Sequence, residues 1–292
     1  MIIDVHAHWG PWFFTMDVTA LSLRTMDRYG IDVAIVSATE AVVYDAPRGN
    51  RALAEVLGAT DRLYGYVTVN PRRLAEAERD LDAYLPTGRF VGAKIHTDYT
   101  GSPVTSPQMR DALALLGSLG CPALVHTWGT SVLDLAALCE ETPGLKVIAG
   151  HMGADGYRHA IEAANGCDRV YLEPCWSQAP AGRFAEVAAA VDPRQLLFGT
   201  DSTLIDPASA FGAVAAAAFP RRWPNRSRGA TPPICSACLH PLAEHGNRLA
   251  SHVEVAFPRL GRTGPVSQVR ERVGTGRGGP LPRRVSSRPT RS

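Results

Sequence analysis

The chain opens MIIDVHAHWG, an apolar run that carries Asp4, His6 and His8 at alternate positions. Side chains alternate along a β-strand, so these three share one face while Ile3, Val5 and Ala7 take the other. At a rise of ~3.3 Å per residue the two imidazoles start about 7 Å apart and can converge on one ion. Three more histidines and an aspartate close later apolar runs: His96 in FVGAKIH, His126 in PALVH, His151 in KVIAGHM and Asp201 in LLFGTD. Of the six histidines in residues 1–218, only His159 falls in a helical stretch. Any one of these residues would be at home as a satisfied core or loop group. As a set at the ends of separate segments they form a donor group for one divalent cation: zinc first, with manganese, iron or cobalt as alternatives. Such an ion lowers the pKa of a bound water to about 7 and polarises a carbonyl. A histidine left off the ion is free for general acid–base work. His151, followed closely by a glycine that leaves it accessible, is the candidate.

These groups need a frame that brings strand ends together. β-like runs alternate with helical spacing along the chain: IIDVHAH, DVAIVSA, LYGYVTV, FVGAKIH, PALVH, KVIAGHM, VYLEPCW and LLFGTD are separated by stretches such as NRALAEVLGATDR and GRFAEVAAAV. After the last run, Asp206 and Pro207 suit the N-cap and first position of an eighth helix. Eight strands and eight helices in alternation predict a (β/α)8 TIM barrel, with an open doubly wound sheet as the other arrangement. In such a barrel the catalytic groups sit at the C-terminal ends of the strands, where the histidines and Asp201 fall.

DVHAH, GAKIH, ALVHTWG, IAGHMG and LLFGTDS, in this order, resemble the amidohydrolase superfamily. The likeness is to its amidohydrolase-2 branch, which includes aminocarboxymuconate-semialdehyde decarboxylase-like enzymes. The resemblance runs from residue 1 to about 218. It implies a metal-dependent (β/α)8 barrel in which His6, His8, His126 and Asp201 are the metal ligands and His151 is the acid/base. Some relatives bridge two metals with a carbamylated lysine from the fourth strand. Here His96, not Lys94, stands at the strand end, so a single ion is expected. Lys94 is then structural, deep in the barrel, with Asp4 as a partner.

Pocket candidates follow from position. His96 lines the site. Trp9, Trp12, Phe13 and Phe14 follow the first histidines, and Trp128 and Trp176 follow the fifth and seventh strands; they suit a planar or apolar substrate, and packing at the barrel mouth explains them equally well. Arg48, in the loop after the second strand, offers a bidentate partner to a substrate carboxylate. Cys175 reads either as a ligand or as a small core residue.

At 292 residues and 45% hydrophobic content the chain can hold one large α/β domain or two small ones. No apolar run reaches the ~20 residues of a membrane span, and no basic start precedes an apolar stretch. These features predict a cytoplasmic chain with no membrane partner, acting on a small molecule, with a homodimer allowed. The six scattered cysteines suit reduced thiols. Composition divides the chain into a barrel at 1–218 and an irregular Arg/Pro-rich tail at 219–292. The tail holds 14 arginines and ten prolines but no lysine or aspartate. Disorder is the default for it, and a reading out of frame from a GC-rich gene would explain the composition. Cys235, Cys238, His240 and His245 lack the gap that a zinc finger needs. Nucleic-acid binding is not expected despite the basic charge.

The expected function is metal-dependent hydrolysis of a small carbonyl substrate (an amide, lactone or ester) through a metal-activated water, with His151 and Asp201 moving protons. The alternative on the same metal is non-oxidative decarboxylation of an aromatic or unsaturated acid. A third reading is a non-catalytic product of a frameshifted gene.

Overall fold

The computed structural model describes residues 1–12, 18–176 and 178–217. Phe13, Phe14 and everything expected of the tail, including its cysteines and histidines, lie outside the described residues. Seven strands form one parallel sheet in chain order: β1 (Ile3–Trp9), β2 (Val33–Ala38), β3 (Leu63–Thr68), β4 (Phe90–Ile95), β5 (Ala123–His126), β6 (Val147–Gly150) and β7 (Val170–Leu172). β2 to β7 read as near-continuous apolar runs because both faces are covered, as parallel strands require.

The eighth run, 196–201, is not a regular strand. Its hydrogen bonds divide between two neighbours instead of forming a ladder with either. Leu197 N–H donates to Leu172 of β7 at 2.8 Å, while Val5 N–H of β1 donates to Phe198 at 3.0 Å and Asp201 N–H donates to His6 at 2.7 Å. Bridges pair Leu172 with Leu196 and Ala7 with Ser202. The segment therefore joins the last strand to the first and closes the TIM barrel.

Helices α1 (Val18–Tyr29), α2 (Thr39–Val43), α3 (Ala46–Leu57), α4 (Leu74–Tyr84), α5 (Thr97–Thr100), α6 (Pro107–Ser118), α7 (Ser131–Glu141), α8 (Tyr157–Gly166), α9 (Arg183–Ala190) and α10 (Ala208–Ala216) fill the crossovers. α3 begins earlier than periodicity suggests. Asp45 accepts the Arg48 N–H as an N-cap and Pro47 occupies the first turn, so Arg48 is helical and not in a loop. The short α2 and α5 were not foreseen. β7 stops at Leu172, short of the VYLEPCW run, since Pro174 has no N–H to give a ladder.

Candidate metal centre

Every strand end that carries a predicted group opens into one cavity of about 440 Å³. His6, His8, His96, His126, His151, Asp201 and Trp128 all line it, together with Lys94, Trp12 and Trp176. Two predicted pocket residues do not. Trp9 packs half-buried against the core and donates its indole N–H to Thr19 at 2.8 Å. Arg48 points away on α3, its Nε 3.1 Å from the Glu40 carboxylate.

At the base of the cavity, Asp201 Oδ1 lies 2.8 Å from His8 Nε2 and 3.6 Å from His6 Nε2. These three buried residues form one compact donor group. Burial opposes ionisation of Asp201, but the hydrogen bond with His8 and the neighbouring His6, His8 and His151 hold its carboxyl well below the usual carboxylate range. The residue sits at φ 60°, a left-handed conformation that aspartate tolerates better than most side chains. His6 is fully buried, which pulls its pKa well below the ordinary imidazole value and keeps it neutral.

His126 stands beside this group and not within it. Its Nδ1 is 3.1 Å from His151 Nε2, its ring stacks on His96 at 4.0 Å, and its Nε2 lies 3.4 Å from Asp98. Burial lowers its pKa and that of His96, the latter to about 2. His151 is turned inward by an irregular stretch in which His151, Met152 and Ala154 all have positive φ. Arg183, buried on α9, holds that stretch by donating to the carbonyls of His151 at 2.9 Å and Ala154 at 3.2 Å, and to that of Pro174.

Lys94 is fully buried, as expected, but its partner is not Asp4. Its Nζ lies 2.9 Å from His6 Nε2. Asp4 instead accepts from the Thr200 hydroxyl at 2.5 Å and from the N–H groups of His6 and Thr200, tying β1 to the closing segment. Burial pushes the Asp4 carboxyl up to about 7.

Two site residues escaped the sequence reading, Asp98 beside His126 and Glu173 beside His6. Glu173, fully buried just after β7, has Oε2 2.7 Å from His6 Nδ1. Cys175 lies against it, its Sγ 3.2 Å from His6 Nδ1 and 3.3 Å from His151 Nδ1. Glu173 lies inside the VYLEPCW run, and only the early stop of β7 before Pro174 puts it at a strand end, as His126 and Asp201 are.

The donor chemistry fits a divalent cation. His6 Nδ1 faces a carboxylate, and His151 Nδ1 faces the Cys175 carbonyl at 2.7 Å. An imidazole whose Nδ1–H is engaged in this way presents its Nε2 lone pair to a metal. His6, His8 and Asp201 would hold the ion, with His126 and His151 at its side.

The sequence profile of the amidohydrolase family matches residues 3–240. The chain belongs to the amidohydrolase family. No curated protein matches it in sequence. Among solved structures, this amidohydrolase-family barrel is similar to 2,6-dihydroxybenzoate decarboxylase from Rhizobium (TM-score 0.59, 17% identity, 75% of this chain and 93% of that one). It is also similar to 5-carboxyvanillate decarboxylase from Sphingomonas paucimobilis (0.59, 14%, 75% and 93%). A third likeness is to a probable 2-pyrone-4,6-dicarboxylic acid hydrolase from Acinetobacter baumannii (0.54, 15%, 75% and 92%). At these identities the likeness is one of fold.

Proposed function

We propose that the chain is a metal-dependent hydrolase of a small carbonyl substrate, an amide, lactone or ester, with zinc as the ion. The observation that carries this reading is the convergence of the Asp201 carboxylate with Nε2 of His8 and His6 at the base of the cavity. When bound, the ion contributes Lewis-acid polarisation and a more acidic water. Asp201, kept ionised, accepts a proton from the attacking water. As the new carbon–oxygen bond forms and the acyl bond breaks, that proton passes to the leaving group. His151, with Nδ1–H anchored on the Cys175 carbonyl and Nε2 on the cavity wall 3.1 Å from His126 Nδ1, carries it.

One observation favours a second reading, non-oxidative decarboxylation. Trp128 and Trp176 meet edge to face at 5.2 Å over the cavity, a wall suited to a planar acid, and two of the structural relatives are named as aromatic acid decarboxylases. A panel of lactones, esters and aromatic acids separates the two. Hydrolysis incorporates labelled water oxygen into the product without gas release, and decarboxylation releases carbon dioxide. Loss of turnover on chelation and recovery with zinc are expected for either. Turnover that survives full removal of metal overturns both. We place the catalytic unit within residues 1–218. Among the described residues no helix is long and apolar enough to cross a membrane.

A further inference from the structure

We propose that Glu173 is a positioning residue, whose carboxylate takes the Nδ1 proton of His6 and so turns the Nε2 lone pair of that ring toward the cation seat. The inference rests on the metal-dependent reading above and deepens it.

Glu173 is surrounded by donors. Oε1 accepts the Cys175 N–H at 2.5 Å; Oε2 lies 2.7 Å from His6 Nδ1 and accepts the Cys175 thiol at 3.0 Å and the His151 N–H at 3.4 Å. Both oxygens already accept from N–H and S–H donors, and this acceptor geometry assigns the shared proton to His6 Nδ1. A neutral imidazole carries one proton, which leaves Nε2 as the acceptor. Lys94 fits the same tautomer from the other side of the ring. Its Nζ, a donor group, stands 2.9 Å from Nε2. The fold makes room for this arrangement: a Cβ on Gly199 would collide with the Glu173 carboxylate, so the closing segment passes Glu173 only as glycine. The same carboxylate also reaches the backbone of His151, so one buried anion at the end of β7 sets the ring of β1 and steadies the turn after β6.

The substitution Glu173→Gln keeps the volume, removes the charge and turns an NH2 toward at least one of those donors. The full-length variant should bind Zn²⁺ or Co²⁺ about 10–100-fold more weakly, measured by competition with a chelator, as removal of a carboxylate behind a ligating histidine does. Its unfolding midpoint without metal should fall as well, because the new NH2 meets buried donors, so the metal affinity is the deciding readout. A purely structural Glu173 would lower the midpoint and leave the affinity of the folded variant unchanged, and that result overturns the proposal. Nitrogen-15 correlation spectra of the metal-free wild type supply a readout that does not depend on the variant folding. His6 protonated on Nδ1 supports the assignment, and His6 protonated on Nε2 overturns it. A wild type that takes up neither metal removes the metal-dependent reading, while the His6 tautomer still decides the role of Glu173.

Discussion

Asp201 and His8, from the closing segment and the first strand, face each other with Oδ1 and Nε2 2.8 Å apart. Both are buried, and Asp201 is kept ionised by its neighbours. Asp201→Asn preserves shape and removes the proton acceptor. Turnover should fall by about 10²–10⁴-fold, the range for loss of a positioned base, with near-native circular dichroism. Metal content, followed in parallel, should fall as well. Full activity in the variant would show that the carboxylate is a bystander.

The indole wall leads to a different kinetic signature. Trp128 is partly exposed at the cavity mouth and contacts both His126 and Trp176 through its ring. On the proposed reading its exposed face meets the substrate, while its edge packs on His151 at 5.9 Å, so Trp128→Ala should raise KM more than it lowers kcat. Loss of an aromatic contact of about 1.5–3 kcal/mol corresponds to roughly a 10–100-fold rise in KM for a planar substrate. A fall in kcat with unchanged KM would assign the ring another role.

Arg183 tests the turn that presents His151. Its guanidinium serves three buried carbonyls, and no other residue type matches that fork. Arg183→Ala leaves those acceptors unpaired at about 1–3 kcal/mol each. Urea unfolding should show a loss of about 3 kcal/mol or more. Arg183→Lys should recover only part of it, because lysine keeps the charge but not the planar fork.

The buried thiols predict alkaline sensitivity. Burial pushes Cys121 and Cys139 up to about 12. In the unfolded chain a thiol titrates at about 8.5, so above that pH the unfolded state has released protons that the folded state still holds. Stability is therefore complete below the unfolded value and declines as pH rises toward 12, by up to about 1.4 kcal/mol per pH unit for each thiol. Denaturant midpoints at pH 8 and pH 10 should show the decline, and Cys121→Ala should make it shallower. An equal slope in the variant would assign the effect to other groups.

The barrel and much of its site were legible in the sequence because one rule links them. Apolar runs mark parallel strands, and polar residues at their ends mark the catalytic mouth. That rule placed His6, His8, His96, His126, His151 and Asp201 around one cavity. It failed where a contact is made sideways between strands, which no single segment records. Lys94 reaches across to His6 and not to Asp4, and Asp4 reaches to Thr200. Trp9 and Arg48 are near the site in sequence, but alternation along β1 and the early start of α3 turn them elsewhere. Nothing in the sequence singles out Glu173, because the VYLEPCW run continues past it and only Pro174 cuts the strand short.

The seam between β1 and the 196–202 segment has a bearing on how the molecule is made. Asp4 and Thr200, whose side chains meet there, are 196 residues apart in sequence. On the ribosome the amino-terminal histidines emerge long before the aspartate that completes their donor group. Contacts of such separation form slowly in a fold of high contact order, and on the metal-dependent reading proposed above an ion would meet its full donor set only once this seam has closed.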